Sequence, residues 1–168
     1  MKRVKLINDP AELVALFRAV DSEERRNVLS TLAEGWTMIS NLVEMYGKGA
    51  HDAIIYFEKF KLIESRWEVN NDTGRPEKGY RTFYNAFQIS TSLTFDEAQE
   101  LLTVVLMTEK EFKSLETKIV KLIGSEGTFA NDIARDLEIT SLTLKGLVRR
   151  TVKFDFKGHN IVPIKEEE

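Results

Sequence analysis

Over residues 39–87 the spacing of apolar residues switches from helical to alternating, and that switch limits the folds open to the chain more than any other feature. Ile39, Leu42, Val43 and Tyr46 recur at helical spacing and stop at Gly47. After only Gly47-Lys48-Gly49, residues 50–61 carry Ala50, Ala53, Ile54, Phe57 and Phe60 on one face of a second helix. From Leu62 the text reads LIESRWEV, then NNDTGRPEKG, then YRTFYNAF. These are two alternating runs, rich in aromatic and β-branched residues, around a polar loop holding Gly74, Pro76 and Gly79. The prediction is two helices joined by a tight turn and followed by a hairpin with a long tip.

Helical signals flank this segment on both sides. Asp9-Pro10 opens a short amphipathic helix with Leu13, Leu16, Phe17 and Val20 on its apolar side. Asp21 with Glu24 makes a capping-box pattern for the next helix, which Gly35 stops. Thr94 with Glu97 and Thr108 with Glu111 predict two further helix starts. Between them Leu101, Leu102, Val105 and Leu106, widened by Val104 and Met107, give an apolar face broader than one small domain needs. Thr128 is the expected cap for FANDIARDL, a turn at 138–140 leads into SLTLKGLVRR, and VKFDF-KGH-NIVPI reads as a second hairpin. The order of elements in the first half recurs in the second, so the predicted fold is mainly α with β-hairpins (α+β). We divide it as 1–92, a linking and dimerisation helix over 93–112, a second domain over 113–164 and an acidic tail at 165–168.

Composition narrows function mainly by exclusion. Zero cysteines remove disulfides, thiolate zinc sites, iron–sulfur clusters and cysteine nucleophiles, and only His51 and His159 remain as imidazoles. His51 and Asp52 are adjacent and project about 100° apart on a helix, an arrangement that suits an exposed polar pair better than a metal site. The chain lacks a phosphate-binding G-x-x-x-x-G-K-S/T loop, a G-x-S-x-G elbow and an H-E-x-x-H pair, so we expect no enzyme and no cofactor. No apolar run approaches the roughly 20 residues of a membrane span, and MKRVKLINDP has too little apolar sequence for a signal peptide; the expected location is the cytoplasm. Net charge is −3, from 24 basic and 27 acidic residues, so an overall basic footprint is missing, although residues 113–164 carry a local excess of positive charge.

Residues 21–88 resemble the winged helix-turn-helix domain of archaeal ArsR-type transcription regulators. DSEERRNVLSTLAEG matches the scaffold helix and MISNLVEMYG the first helix of the motif. HDAIIYFEKFKLI matches the recognition helix running into the wing, and GRPEKGYRTFY the wing. The C-terminal half is similar to winged helices in general, which makes the whole a pair of tandem winged helix-turn-helix units joined by a long apolar helix. The resemblance implies a homodimer that sets paired recognition helices on double-stranded DNA, with Leu13, Phe17, Leu101, Leu102, Val105 and Leu106 at the seam.

With Ala53, Ile54, Phe57 and Phe60 in the core, the outward residues of the second helix are expected to be His51, Asp52, Ile55, Tyr56 and Lys59, with Lys48 at its start. Arg75 sits where a proline-stiffened tip can deliver a guanidinium to a narrow minor groove, and Lys78 and Arg81 are placed to neutralise phosphates. Lys145, Arg149 and Arg150 make the corresponding basic group in the second half. A solvated hairpin tip and a solvated helix face account for the same residues. Asp52 and Glu58 oppose phosphate, and an exposed Ile-Tyr pair suits a protein surface. The rival reading is therefore a winged-helix module that binds a protein or ribonucleoprotein such as a ribosomal subunit.

Overall fold

The computed structural model describes residues 2–165; positions 166–168 of the acidic tail lie outside the described residues. The first elements are β1 (Val4–Ile7), α1 (Glu12–Ala19), α2 (Glu23–Glu34), β2 (Thr37–Met38), α3 (Ile39–Tyr46) and α4 (Lys48–Lys59). Then come β3 (Ile63–Val69), β4 (Pro76–Thr82), β5 (Ala86–Ile89), α5 (Phe95–Leu106) and α6 (Glu109–Leu122). The chain closes with β6 (Thr128–Phe129), α7 (Ala130–Asp136), α8 (Ser141–Val148), β7 (Phe154–Lys157) and β8 (Asn160–Pro163). Among the described residues no helix is long and apolar enough to cross a membrane.

The chain folds as two compact units. One holds the residues up to Ile7 together with Arg18–Ser90; the other holds Asn8–Phe17 and the residues from Thr91 onward. This partition differs from the expected 1–92, 93–112 and 113–164. Ala11 and Val14 of α1, and Leu101 and Val104 of α5, lie in one buried cluster with Ile119, Leu144, Leu147 and Phe154. The linking segment is therefore part of the second unit's core, because its apolar arc is wide enough to fill that core and still leave a stripe outside.

In the first unit α2, α3 and α4 bury Val28, Leu32, Leu42, Ala53, Ile54 and Phe57 between them. A three-stranded sheet in the order β2-β4-β3 closes the unit, with Ile63 opposite Thr82 and Val69 opposite Pro76 in antiparallel register. This is the predicted helix-turn-helix with its wing, except that β4 already begins at Pro76, which shortens the tip to residues 70–75. Sequence reading missed one feature, the parallel pair β1 and β5, in which Val4 faces Ala86 and Ile7 faces Ile89.

The second unit has α6, β6, α7, α8 and a sheet in the order β6-β8-β7, the same strand order as in the first. Most predicted caps hold: Thr94 accepts from Glu97 N–H, and Thr108 with Glu111 forms a complete capping box. Two differ. Ser22 rather than Asp21 caps α2, while Asp21 pairs with Arg18. Thr128 does not cap α7; its hydroxyl instead donates to Leu122 O and accepts from Gly124 N–H, each at 3.0 Å.

Candidate nucleic-acid interface

A single residue makes the turn between α3 and α4. Gly47 ends α3 by donating to Val43 O at 2.8 Å and starts α4 at φ +76, a left-handed conformation costly for any residue with a Cβ. So tight a joint lets α3 hold α4 against α2 with one face in the core and the other in solvent. On the solvent side lie Lys48, His51, Asp52, Ile55 and Glu58, with Lys59 half-buried and its ammonium 4.9 Å from the Phe60 ring.

Tyr56 is not on that face, contrary to the sequence reading. It is 1% exposed, its ring lies 4.6 Å from that of Phe60, and the Arg25 guanidinium of α2 covers it at 4.2 Å. The signal was present in the spacing: Tyr56 stands three residues after Ala53 and four before Phe60, so it shares their stripe. A Tyr ring is large enough to turn under α2 and widen the buried arc.

The wing tip is organised around Asn70. Its backbone N–H donates to Arg75 O at 2.9 Å and its carbonyl accepts from Gly74 N–H at 2.7 Å, while Oδ1 accepts from Asp72 N–H at 2.9 Å and Thr73 N–H at 3.2 Å. Gly74, at φ +68, supplies the left-handed residue that such a turn requires. Asn70 Nδ2 also donates to Glu77 Oε2 at 2.6 Å, and Glu77 Oε1 accepts from the Ser40 N–H at 2.6 Å. Glu77 thereby ties the wing to an otherwise unpaired N–H in the first turn of α3. Sequence reasoning assigned no role to Asn70 or Glu77, since the contact to Ser40 spans a separation that no local pattern reports.

These bonds hold the Glu77 carboxyl below its ordinary value, the Asn70 amide first and Ser40 second. The folded form thus favours the carboxylate. Its contribution is complete above the ordinary carboxylate range and is lost as pH falls through the lowered value. We expect the Ser40 amide resonance to titrate with a midpoint below the ordinary 4.5, and Glu77→Gln to remove that step. A midpoint at or above the ordinary value would contradict the arrangement.

Arg75 projects from this braced tip, exposed, and its guanidinium makes no ion pair or hydrogen bond among the described residues. Lys78 lies in β4 opposite Trp67, its ammonium 5.7 Å from that ring. Arg81 is more constrained. It donates to Glu64 Oε1 at 2.5 Å and covers Trp36 at 4.7 Å, while Arg66 covers the same indole at 4.0 Å. The Glu64 carboxyl is held low chiefly by the hydrogen bond from Arg81, so much of that guanidinium's charge is already compensated.

In the second unit Lys145 is exposed on α8 and Arg149 is half-buried one turn on; both border a cavity of about 440 Å³. Arg150, expected beside them, is only 5% exposed. Its guanidinium donates to Val104 O at 2.8 Å, Met107 O at 2.7 Å and Glu109 Oε1 at 2.9 Å, and lies 4.5 Å from the Phe112 ring centroid. Arg150 lies past the end of α8, in the turn where its own N–H and that of Thr151 both donate to Leu147 O, and that turn carries it to the inner side.

Of the residues expected at a dimer seam, Leu102 and Leu106 are 55% and 71% exposed, Phe17 is exposed, and Leu13 and Val105 are half-buried. Leu101 is turned into the core of the second unit and is not available for direct contact. Among the described residues no group of three acidic or histidine side chains is placed to hold a metal ion. The family model for the ArsR transcriptional regulator matches residues 7–165. No curated protein matches the chain.

Proposed function

Because the chain belongs to the ArsR transcriptional regulator family, we propose that it is a non-enzymatic, homodimeric regulator that reads double-stranded DNA with α4 and the wing of its first unit. The observation that carries this is the braced wing tip, which presents an uncompensated guanidinium at Arg75 in the same unit as α4, whose outer face offers Lys48 and His51. Arg75 enters the minor groove, Lys48, Lys59 and Lys78 neutralise phosphates, and His51 donates to a base edge. Arg81 acts mainly by stiffening the wing through Glu64 and Trp36. The second unit is a further winged helix-turn-helix, and the apolar stripe of α5, with Leu13 and Phe17 of α1, forms the dimer seam.

Arg75→Ala is expected to weaken DNA binding about tenfold and to lower the slope of log affinity against log salt by about one. Fluorescence anisotropy of a labelled duplex selected from genomic fragments measures both. Unchanged affinity and slope would contradict the wing assignment.

A second reading is favoured by one observation. Trp67 is 68% exposed on the wing, next to exposed Val69, which suits a protein or ribonucleoprotein surface such as a ribosomal subunit. Under that reading Trp67→Ala abolishes partner capture, no duplex is enriched, and charge reversal at Asp52 harms the interaction.

A further inference from the structure

The second unit contains a concave site that the proposed DNA contacts of α4 and the wing leave unused. Its cavity, about 440 Å³, is of the size that a nucleotide-sized ligand occupies. Three groups of residues define its character. Phe129, Phe156 and Leu144 supply apolar walls, and Phe129 is 43% exposed although it adjoins the buried core. Lys145 on α8 and Arg149 at its C-terminal cap, one helical turn apart, and His159 from the hairpin turn bring cationic or donor groups to the same space. Asp9 and Asn131 add hydrogen-bond acceptors, and Asn131 donors as well.

The turn carrying His159 is fixed to the start of α7, since Ala130 N–H donates to His159 O at 3.0 Å. The walls are thus tied together by backbone rather than by surface side chains alone. An acidic chain with net charge −3 here concentrates cations around exposed aromatic carbon, a combination that a solvated helix face has no need of. A purely anionic ligand would leave the phenylalanines in water, and a purely apolar one would leave Lys145 unmatched. A ligand with a flat ring and a phosphate satisfies both, with ring donors turned toward Asp9.

We infer that this cavity binds a nucleotide, its base against Phe129 and Phe156 and its phosphate between Lys145 and Arg149. The nucleotide is either a free mononucleotide or one unit of a single strand; the chemistry is shared. The inference does not depend on how the first unit reads DNA.

The test is NMR titration of the full-length protein with adenosine 5′-monophosphate, uridine 5′-monophosphate, a short oligothymidylate and inorganic phosphate. The expected result is saturable shifts at Asn131, Lys145 and His159, with at least one mononucleotide or the oligonucleotide binding about tenfold or more tightly than inorganic phosphate. Saturation by a mononucleotide identifies a free ligand. Saturation only by the oligonucleotide identifies a strand. Lys145→Ala and Phe129→Ala, both at solvent-accessible side chains, should each weaken binding several-fold while leaving the rest of the spectrum unchanged. Equal binding of inorganic phosphate and nucleotide, no response at these residues, or unaltered binding in both variants would overturn the inference.

Discussion

Replacing Arg150 with alanine is expected to destabilise the second unit by about 3 kcal/mol. The side chain is buried and its guanidinium closes the C-terminal end of α5, where Val104 O and Met107 O have no onward helical donor. Each buried carbonyl that loses its partner costs about 1–3 kcal/mol, and the contact to Glu109 and the packing on Phe112 are lost as well. The two units can be followed separately. Both tryptophans, Trp36 and Trp67, and all four tyrosines, Tyr46, Tyr56, Tyr80 and Tyr84, lie in the first unit. Under urea, Arg150→Ala should therefore show an early circular-dichroism transition with no counterpart in tryptophan fluorescence. Arg150→Lys should recover only part of the loss, because one ammonium cannot reproduce the fork that reaches two carbonyls and a carboxylate. A circular-dichroism midpoint unchanged in the alanine variant would show that these bonds add nothing to stability.

Arg150 and Tyr56 also mark where reading the sequence stopped being sufficient. Periodicity places a side chain around the helix axis, and it placed Ala53, Ile54, Phe57 and Phe60 correctly in the core. It also treated tyrosine and arginine as outward by type, although Tyr56 lies on the inward arc of α4 and Arg150 in the turn that follows α8. Long amphipathic side chains go where a partner waits: Arg25 over the Tyr56 ring, and the end of α5 for Arg150. Caps such as Thr94 and Thr108 were readable because their partners lie three residues away. The β1–β5 pair was not, because VKLI is too short to show alternation and its partner strand begins at Ala86. Likewise the Ser40–Glu77–Asn70 chain, which braces the proposed DNA-contacting tip, joins three elements that no local pattern connects.

The same distinction governs the proposed dimer. Leu101 and Val104 turn inward, while Leu102 and Leu106, four residues apart, face out with Phe95 one heptad before Leu102 and 96% exposed. These outward residues form a narrow stripe, and in the proposed dimer a second helix of the same kind covers it. Leu102→Glu with Leu106→Glu places four carboxylates at a two-fold seam, and sedimentation velocity should show a monomer at concentrations where the unaltered protein is a dimer. Protomer unfolding should barely change, since neither side chain is buried within the protomer. Affinity for an inverted repeat should fall on the order of a hundredfold, because the second half-site no longer gains from the first, while affinity for one half-site is unchanged. A variant that remains dimeric would move the seam away from α5. A monomer that still binds the repeat at full affinity would instead retain the seam and show that DNA recognition does not require two copies.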